Sequence, residues 1–427
     1  MPNVLELFAG IGGFRVGLEQ LANADLGGAF YRVIWSNQWE PNSALQHVWR
    51  TYERVYGPGS CVNEDIEQVV KHPETIPDAQ MIVGGFPCQD YSVARSLQQA
   101  EGIEGQKGAL WWSIIRLIQD KEAAENAPTV IFLENVDRLI HSPAKRRGRD
   151  FAIILQSLSD LGYSVEWRVI NAADYGMPQR RRRTFILAYR NGSPLCHGID
   201  NPTEWIYTTG IMAEAFPIEP SNDTIEGQAI KQNPGWDLAD ISDHFNEETP
   251  QKRVFENAGT MVNGVFYTVK VWPRYDGPRI TLGDIVAETP REEITEEFYL
   301  DINSIDSWRR EKQGKRIERV SRATGFKYLY SEGPMIFPDA LDKPSRTIIT
   351  AEGGQSVSRF KHVIEDPVNH RYRRLVPSEL EQLDMFPRGH TEGETAVRRA
   401  FFIGNSLVCG IVERIGVALA HRDWGEL

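Results

Sequence analysis

One cysteine of this chain stands in a setting that suits covalent chemistry. Residues 84–92 are Gly-Gly-Phe-Pro-Cys-Gln-Asp-Tyr-Ser and follow the short apolar run 81–83, which predicts that Cys88 lies on a loop directly after a strand. A thiolate is intrinsically nucleophilic, and more so beside positive charge. A lone loop cysteine is usually inert, but this position at a strand end favours Cys88 as a nucleophile.

A carboxylate and two arginines could complete such a site. Glu134 follows four apolar residues. Burial at the end of a strand would raise its pKa and allow it to donate a proton, although a solvated strand-end glutamate is the commoner case. Gln179, Arg181 and Arg183 recur at every second position and enter the run 184–188, so strand alternation predicts that all three share one face. Arginines aligned in this way can hold a ring carbonyl and phosphates.

The segment Phe8-Ala9-Gly10-Ile11-Gly12-Gly13-Phe14 could form a ligand loop. It joins an apolar run to a stretch of helical spacing, and a helix N-terminus after a glycine turn offers N–H groups to an anion such as the carboxylate of a methionine moiety. The segment does not have the spacing GxGxxG, which disfavours a nicotinamide enzyme. Taken alone, it fits a tight structural turn equally well.

The next loop could hold the rest of a nucleoside. Residues 36–40 are Ser-Asn-Gln-Trp-Glu, and in doubly wound folds an acidic residue beyond the second strand often holds a ribose. Glu40 or Gln38 could serve, and Trp39 could cover an adenine face. An ordinary loop with a packed tryptophan is the alternative.

Strand-like and helix-like segments alternate along the first 190 residues. Strands are predicted at 3–8, 31–36, 81–83, 129–133, 164–170 and 184–188, and helices at 14–21, after Pro41, at 110–118 and at 151–161. This order predicts an α/β sheet with helices on both faces, in which ligands bind at the carboxyl ends of the strands. Residues 191–345 show no clear period, and helical spacing returns at 378–385 and 407–420.

Composition restricts the class of protein. The chain has 427 residues, 41% of them hydrophobic, and no apolar stretch or leader that predicts a membrane protein, so we expect a cytoplasmic protein without a membrane partner. Four cysteines without CxxC spacing predict neither a disulfide framework nor a zinc site. The net charge of -12 argues weakly against a protein that coats nucleic acid, but basic clusters at 145–149, 180–183 and 309–322 could contact phosphates locally.

In their order along the chain, these motifs resemble those of the DNA cytosine-5 methyltransferases, in particular the bacterial enzymes of restriction-modification systems. The matching segments are 8–14, 84–92, 134–136, 171–183, 346–350, 374–377 and 404–407. Any one of them would often be a false positive, whereas their ordered agreement is specific. Only about 191–345 lacks a matching motif, and this is where the family keeps its target-recognition domain.

The resemblance implies a fold and a division into domains. The fold is the Rossmann-like mixed sheet of S-adenosylmethionine-dependent methyltransferases, with helices on both faces, plus a smaller and irregular target-recognition domain. We expect a catalytic and cofactor-binding domain over 1–190 and a target-recognition domain over 191–370. A C-terminal segment over 371–427 would return to the catalytic domain.

The resemblance also implies roles for particular residues. The catalytic residues would be Cys88, Glu134, Arg183 and Arg181. The residues around S-adenosylmethionine would be Phe8, Gly10, Gly12, Gly13, Gln38, Trp39, Asp65, Ile66, Pro87, Leu110, Asn405 and Ser406. Gln38 stands where many relatives carry a glutamate on the ribose hydroxyls. An amide can accept a hydrogen bond there without a charge, and Glu40 is the alternative.

These residues permit methylation of cytosine carbon 5 through a covalent adduct. Cys88 would add to carbon 6, Glu134 would protonate or hydrogen-bond nitrogen 3, and Arg183 would hold oxygen 2. The base must leave the duplex to be reached, and residues 92–108 are predicted to close over it. S-adenosylhomocysteine would be released, and the reaction requires no metal.

Double-stranded DNA is the expected partner, bound by a monomer, with any cognate restriction endonuclease acting separately. An RNA-directed member of the same family and a non-catalytic DNA-binding relative are the nearest alternatives. A nicotinamide oxidoreductase on the same kind of sheet is a third, disfavoured by the Pro-Cys loop and by the missing GxGxxG.

Overall fold

The structure is a computed structural model that describes residues 1–41, 43–86, 109–320 and 325–425. The chain divides into two compact units. The first unit consists of Met1–Tyr175, Arg182–Gly277 and Cys409–Leu427, and the second consists of Gly176–Arg181 and Pro278–Val408.

A mixed sheet forms the centre of the first unit. Its strands in chain order are β1 (Asn3–Leu7), β2 (Arg32–Ser36), β3 (Met81–Gly85), β4 (Val130–Val136), β5 (Tyr163–Asn171), β6 (Arg182–Arg190), β7 (Gly227–Ala229), β8 (Ala258–Val262) and β9 (Val265–Val269). They lie in the order β2-β1-β3-β4-β6-β5-β8-β9-β7. The strands β2, β1, β3 and β4 are parallel, and every later pairing is antiparallel.

The helices differ in length and regularity. In chain order they are α1 (Gly13–Arg15), α2 (Asn23–Asp25), α3 (His47–Tyr56), α4 (Ile66–Val69), α5 (Ala109–Ala123), α6 (Arg149–Asp160), α7 (Pro202–Glu204), α8 (Ile211–Ala215), α9 (Leu238–His244), α10 (Leu282–Ala287), α11 (Ile305–Lys312), α12 (Pro377–Leu383), α13 (Ala396–Asn405) and α14 (Cys409–Ala420). Two π-helical segments, Val16–Ala22 and Trp205–Thr209, continue α1 and α7.

Helices cover both faces of the sheet, because its central strands are apolar on both sides. Leu133 and its neighbours on one face share a core with α5 and α6. On the opposite face, the ring of Phe132 meets that of Phe14 edge-on at 5.0 Å. The predicted mixed sheet with helices on both faces is confirmed.

The C-terminal helix α14 packs on the helical segment that follows the first glycine turn. A Cβ on Gly17 would lie 2.5 Å from the side chain of Val412, and a Cβ on Gly416 would lie 2.8 Å from that of Leu18. The buried hydroxyl of Tyr31 donates to the carbonyl of Gly416 at 2.6 Å. Glycines on both helices therefore allow this close approach.

Buried charges hold much of the second unit together. It contains two small antiparallel pairs, β10 (Lys315–Val320) with β11 (Lys327–Glu332) and β12 (Ile364–Glu365) with β13 (Tyr372–Arg373). The buried Arg373 donates to Asp366 at 2.9 Å and to Glu379 at 2.7 Å. Burial alone would raise the pKa of Asp366, but hydrogen bonds from Arg291 and Arg373 help to lower it to about 2.

The compact units divide the chain at different residues from the three predicted domains. Strands β7, β8 and β9 lie beyond residue 190 and yet extend the sheet past β5, so 191–277 belongs to the first unit. The C-terminal residues are also shared, with α13 in the second unit and α14 in the first. In the described part of the chain, one stretch, Ala396–Ala420, has the length and composition of a membrane span. Its most apolar part is 67% buried inside the protein, as is typical of a core helix.

Candidate active site

An ion pair lies at the carboxyl edge of the central strands. Nε of Arg183 is 2.9 Å from a carboxylate oxygen of Glu134, and both side chains are less than one-fifth exposed. Strand register explains the pair, since Arg183 lies opposite Val136, which shares a face with Glu134 two residues earlier. The site thus joins a carboxylate and a guanidinium from adjacent strands.

Two glycines on β3 fit this edge. A Cβ on Gly84 would come within 2.6 Å of the carbonyl oxygen of Leu7, so this position requires glycine for β3 to lie against β1. Gly85 pairs with Glu134 across β3 and β4. A Cβ there would lie 3.3 Å from the second carboxylate oxygen of Glu134. The two glycines therefore have different tasks, close strand packing and space for the carboxylate.

Asn135 connects β4 to the start of the cysteine loop. Its side-chain amide donates to the carbonyl of Phe86 at 2.8 Å, and its Oδ1 accepts from the N–H of Val136 at 2.8 Å. Asn135 and Phe86 are both buried, and Phe86 precedes Cys88 by two residues. The sequence analysis missed this function of Asn135, although its place between Glu134 and Val136 was the available signal.

Pro87, Cys88 and the predicted closing segment 92–108 lie outside the described residues. Two of the other three cysteines have environments that do not suit a nucleophile. Cys61 and Cys409 are buried, and burial raises the pKa of Cys61 above its usual range. The thiol of Cys196 lies 3.2 Å from the carbonyl oxygen of Ser193.

The first glycine turn has the backbone of a ligand loop. Phe8, Gly10 and Gly12 have φ values of 53°, 57° and 87°, in the left-handed region that favours glycine. A Cβ on Gly10 would meet no atom within 4 Å, whereas one on Gly12 would collide with the ring of Tyr56. Gly13 is buried where α1 begins. Gly10 therefore faces open space into which a ligand can approach the backbone.

A buried polar network, absent from the sequence analysis, supports this turn. Glu6 on β1 is fully buried and accepts from the Tyr52 hydroxyl at 2.7 Å and from the N–H of Arg15 at 3.2 Å. Burial raises the pKa of Glu6 to about 7, against the lowering effects of Tyr52 and Arg15. An acid inside the apolar run 3–8 was the sequence signal.

The loop after β2 is tied to the glycine turn. The side-chain oxygen of Gln38 accepts from the N–H of Gly10 at 2.8 Å. Trp39 is 40% exposed, which leaves a large apolar ring accessible. A carboxylate oxygen of Glu40 accepts from the N–H of Val48 in α3. Gln38 thus bridges two loops, while Glu40 stabilises a helix.

Three further predicted cofactor residues follow β2 and β3 in the chain. Asp65 caps α4 by accepting from the N–H of Glu67 at 3.0 Å. Ile66 is buried, and Leu110 packs partly buried against the same core. These residues have a structural function that is visible in the fold, and their contact with a ligand stays a prediction.

The prediction that Gln179, Arg181 and Arg183 line one strand face is wrong. Strand β6 begins only at Arg182, and the N–H of Arg181 donates to the carbonyl of Gln179 at 3.0 Å, a tight turn that ends the alternation. The amide of the buried Gln179 donates to Asp384 at 2.6 Å. Arg183, which does lie on β6, pairs with Glu134.

Arg181 holds backbone carbonyls inside the second unit. Its guanidinium is buried and donates to Gly404 at 2.9 Å and to Ser406. Asn405, between them, is exposed, and its amide donates to the carbonyl of Phe401 at 3.2 Å. Arg181 therefore fixes the backbone around two of the predicted cofactor residues, Asn405 and Ser406.

Comparison with known proteins gives concordant matches. A family model described as C-5 cytosine-specific DNA methylase matches residues 2–421. The chain is 42% identical to the type II methyltransferase M.Sau3AI of Staphylococcus aureus over 422 residues, which cover 98% of this chain and 96% of that protein. It is 33% identical to M.HhaI of Haemophilus parahaemolyticus over 187 residues, 44% of this chain and 49% of that protein.

Solved structures agree on the fold. A DNMT2 variant from Spodoptera frugiperda superimposes with a TM-score of 0.57 at 13% identity, covering 98% of this chain and 99% of that one. A methyltransferase from Entamoeba histolytica gives a TM-score of 0.55 at 14% identity, covering 98% and 97%. Identities this low show similarity of architecture alone.

Proposed function

The chain belongs to the C-5 cytosine-specific DNA methylase family, and on that premise we propose which of its residues perform the reaction. The enzyme transfers a methyl group to carbon 5 of cytosine in specific DNA sequences through a covalent enzyme–base adduct. The observation that supports our assignment is the Glu134–Arg183 pair. Glu134 lies on β4, the strand next to β3, and the chain continues from the last glycines of β3 to Cys88.

Methyltransferases of this family use S-adenosylmethionine, which supplies an electrophilic methyl group when bound. The residues present fit such a molecule, since Gly10 faces open space and the ring of Trp39 is exposed. We assign the methionine moiety to Phe8, Gly10, Gly12 and Gly13, the adenine to Trp39, and the ribose to Gln38, whose amide retains hydrogen-bonding capacity beyond its bond to Gly10. The further residues assigned to this site are Asp65, Ile66, Pro87, Leu110, Asn405 and Ser406.

Cytosine carbon 5 is a poor nucleophile, and the residues of this chain overcome that. The thiolate of Cys88 adds to carbon 6 of the flipped base, which makes carbon 5 part of an enamine. Glu134 protonates or hydrogen-bonds nitrogen 3, and Arg183 donates to oxygen 2. Nitrogen 3 and the exocyclic oxygen 2 are neighbours on one edge of the base, as the two side chains are neighbours on adjacent strands.

The cycle ends by restoring the aromatic ring. After methyl transfer, carbon 5 loses its proton and Cys88 is expelled from carbon 6, which leaves 5-methylcytosine. Arg181 serves as a positioning residue in this scheme, because its contacts are with the carbonyls of Gly404 and Ser406.

Fluorinated DNA tests this assignment. A target cytosine with fluorine at carbon 5 accepts both the thiolate and the methyl group, but fluorine cannot leave as a cation, so the enzyme stays bonded to the DNA. The expected product survives denaturing electrophoresis, requires S-adenosylmethionine, is absent for Cys88→Ser, and forms much more slowly for Glu134→Gln.

Peptide mapping of the crosslink supplies the decisive control. Attachment at Cys61, Cys196 or Cys409 would contradict the assignment of the nucleophile, and the absence of a crosslink at a verified target would contradict the mechanism. Matched fluorinated RNA distinguishes a DNA-directed enzyme from an RNA-directed one, because only the true substrate is trapped.

We propose that residues 191–370 supply target recognition, since they include the stretch 191–345, which has no family motif. Exchange of 191–345 with the same segment of a relative should exchange the methylated site, and an active chimera that keeps its original site would argue against this. We further propose that the enzyme acts as a monomer on double-stranded DNA in the bacterial cytoplasm, with any cognate restriction endonuclease acting separately.

A further inference from the structure

Strands β8 and β9, which extend the sheet beyond β5, bring an exposed segment to the edge where Glu134 lies. Glu134 pairs with Phe185 on β6, which pairs with Arg168 on β5. Arg168 pairs with Ala258 on β8, which pairs with Val269 on β9. Val269 thus lies in the same row as Glu134, and β9 runs in the same direction as β4. The chain after Val269 therefore leaves the sheet at the edge that carries the active site.

The row also sets a distance. Four strand spacings separate β4 from β9, and at about 4.8 Å each they amount to ~19 Å. The twist of the sheet turns the direction of β9 relative to β4 by roughly 20–25° per strand, but it leaves this spacing along the sheet unchanged.

The segment after β9 is extended and fixed by backbone pairing. The N–H of Glu219 donates to the carbonyl of Trp272, and the N–H of Arg274 donates to that of Pro217, both at 2.9 Å. Val271 is buried. Its N–H donates to the side-chain oxygen of Asn257, and its carbonyl accepts from the side-chain amide of the same residue. An ordered backbone thus determines which side chains face outward.

Those outward side chains form what we call the basic stripe, Lys270, Trp272 and Arg274. Lys270 and Trp272 flank the buried Val271, Trp272 and Arg274 flank the exposed Pro273, and all three members of the stripe are exposed. Trp272 is 57% exposed, and the ammonium of Lys270 lies over its ring, 4.6 Å from the centroid. A large exposed aromatic ring beside two cations is unusual on the surface of a protein whose net charge is -12.

We propose that the basic stripe binds the phosphate backbone of duplex DNA flanking the recognition site. The proposal rests on the function proposed above, which places the target base beside Glu134. At 3.4 Å per base pair, ~19 Å corresponds to about five to six base pairs. Lys270 and Arg274 pair with phosphates there, and Trp272 holds the Lys270 ammonium in place through its ring.

DNA is the partner that the chemistry of the stripe favours. Phosphate contacts by lysine and arginine add affinity without selecting a sequence, so such a contact suits DNA outside the recognition site. Glu219 pairs with Trp272 along the backbone and is also exposed. It is the acidic neighbour that limits the positive charge of the stripe, and it provides a variant with the opposite expected effect.

Duplex length distinguishes a flanking contact from a general one. Affinity is measured by fluorescence anisotropy on duplexes that extend about three or about twelve base pairs beyond a verified site, because only the longer one reaches the stripe. Wild-type enzyme should bind the long duplex on the order of tenfold more tightly at 0.1 M salt. The variant Lys270→Ala/Arg274→Ala should lose this preference, and its salt dependence on the long duplex should be shallower by about two in log–log slope.

Control variants keep the result independent of folding and of net charge. Arg32→Ala/Lys71→Ala removes the same charge from exposed positions elsewhere on the first unit and should retain the preference. Glu219→Lys should strengthen binding of the long duplex only. Methyl transfer to the short duplex should be unchanged in all of these variants, which separates this proposal from the proposed function itself.

The proposal is overturned if wild-type enzyme binds both duplexes equally. It is also overturned if the stripe variant loses affinity equally on both, or if the control pair has the same effect as the stripe pair. If the wild-type enzyme failed to methylate the short duplex at a verified site, the result would instead count against the proposed function.

Discussion

Replacing Asn135 by alanine tests whether β4 positions the cysteine loop. The substitution removes the donor to the buried carbonyl of Phe86 and the acceptor for the N–H of Val136. A buried polar group left without its partner costs about 1–3 kcal/mol, so urea unfolding should show a loss of stability in that range. The loss of stability should come from the carboxyl ends of β3 and β4, because both hydrogen bonds of Asn135 are made there.

Activity should also fall in the fraction of the protein that remains folded. Phe86 precedes Cys88 by two residues, and displacement of a reacting group by about 1 Å can cost ~10²-fold in rate. We therefore expect kcat for methylation to fall by roughly that factor at temperatures where the variant is folded, with a matching decrease in the rate of crosslinking to fluorinated DNA.

Asn135→Asp is the matched variant, because it keeps an acceptor for Val136 and replaces the N–H donor to Phe86 by a carboxylate oxygen. It should lose activity to a similar extent. If either folded variant crosslinked at the wild-type rate, the Asn135–Phe86 bond would have no function in positioning the nucleophile.

Three further predictions concern the glycines of β3, the buried Glu6 and the exposed Asn405. Gly84→Ala should lower the free energy of unfolding by about 1–3 kcal/mol because its Cβ meets the backbone of β1. Gly85→Ala should mainly lower kcat, because its Cβ meets the Glu134 carboxylate. Chemical denaturation and turnover measurements check both, and equal losses of stability would contradict the distinction. Burial raises the pKa of Glu6 from 4.5 to about 7, so between these pH values the folded state keeps a proton that the unfolded state loses. The free energy of unfolding should therefore fall by about 3 kcal/mol as pH rises from 4.5 to 7. Glu6→Gln should remove this pH dependence from unfolding measurements. Asn405→Ala should weaken S-adenosylmethionine binding in calorimetry, and unchanged affinity would remove Asn405 from the cofactor site.

Local patterns predicted the strands that carry the active site. The apolar runs before Gly84 and Glu134 each end at the sheet edge, because short buried strands require a continuous apolar sequence. The strands before Cys88 and Glu134 are parallel neighbours and therefore end at one edge of the sheet. The pairing of Glu134 with Arg183 follows from register.

Interactions between distant residues account for what the sequence did not predict. The alternation of Gln179, Arg181 and Arg183 fitted one strand, but Gln179 is drawn into a bond with Asp384, over 200 residues later. Within the second unit, residues 278–345 showed no apolar period because buried pairs such as Lys312 with Asp339 contribute to its interior. Such pairs leave no periodic signal.

The packing of α14 on the helical segment Val16–Ala22 has a consequence for biosynthesis. Tyr31 and Gly416 share a hydrogen bond although 385 residues separate them, and at about 5–20 residues per second a ribosome needs roughly 20–80 s to pass from one to the other. During that time the surface around Gly17 has no helix to cover it. A nascent chain therefore cannot complete the unit that carries Glu134 and Arg183 until α14 has emerged, so methylating activity cannot begin while residues 31–416 are still being synthesised.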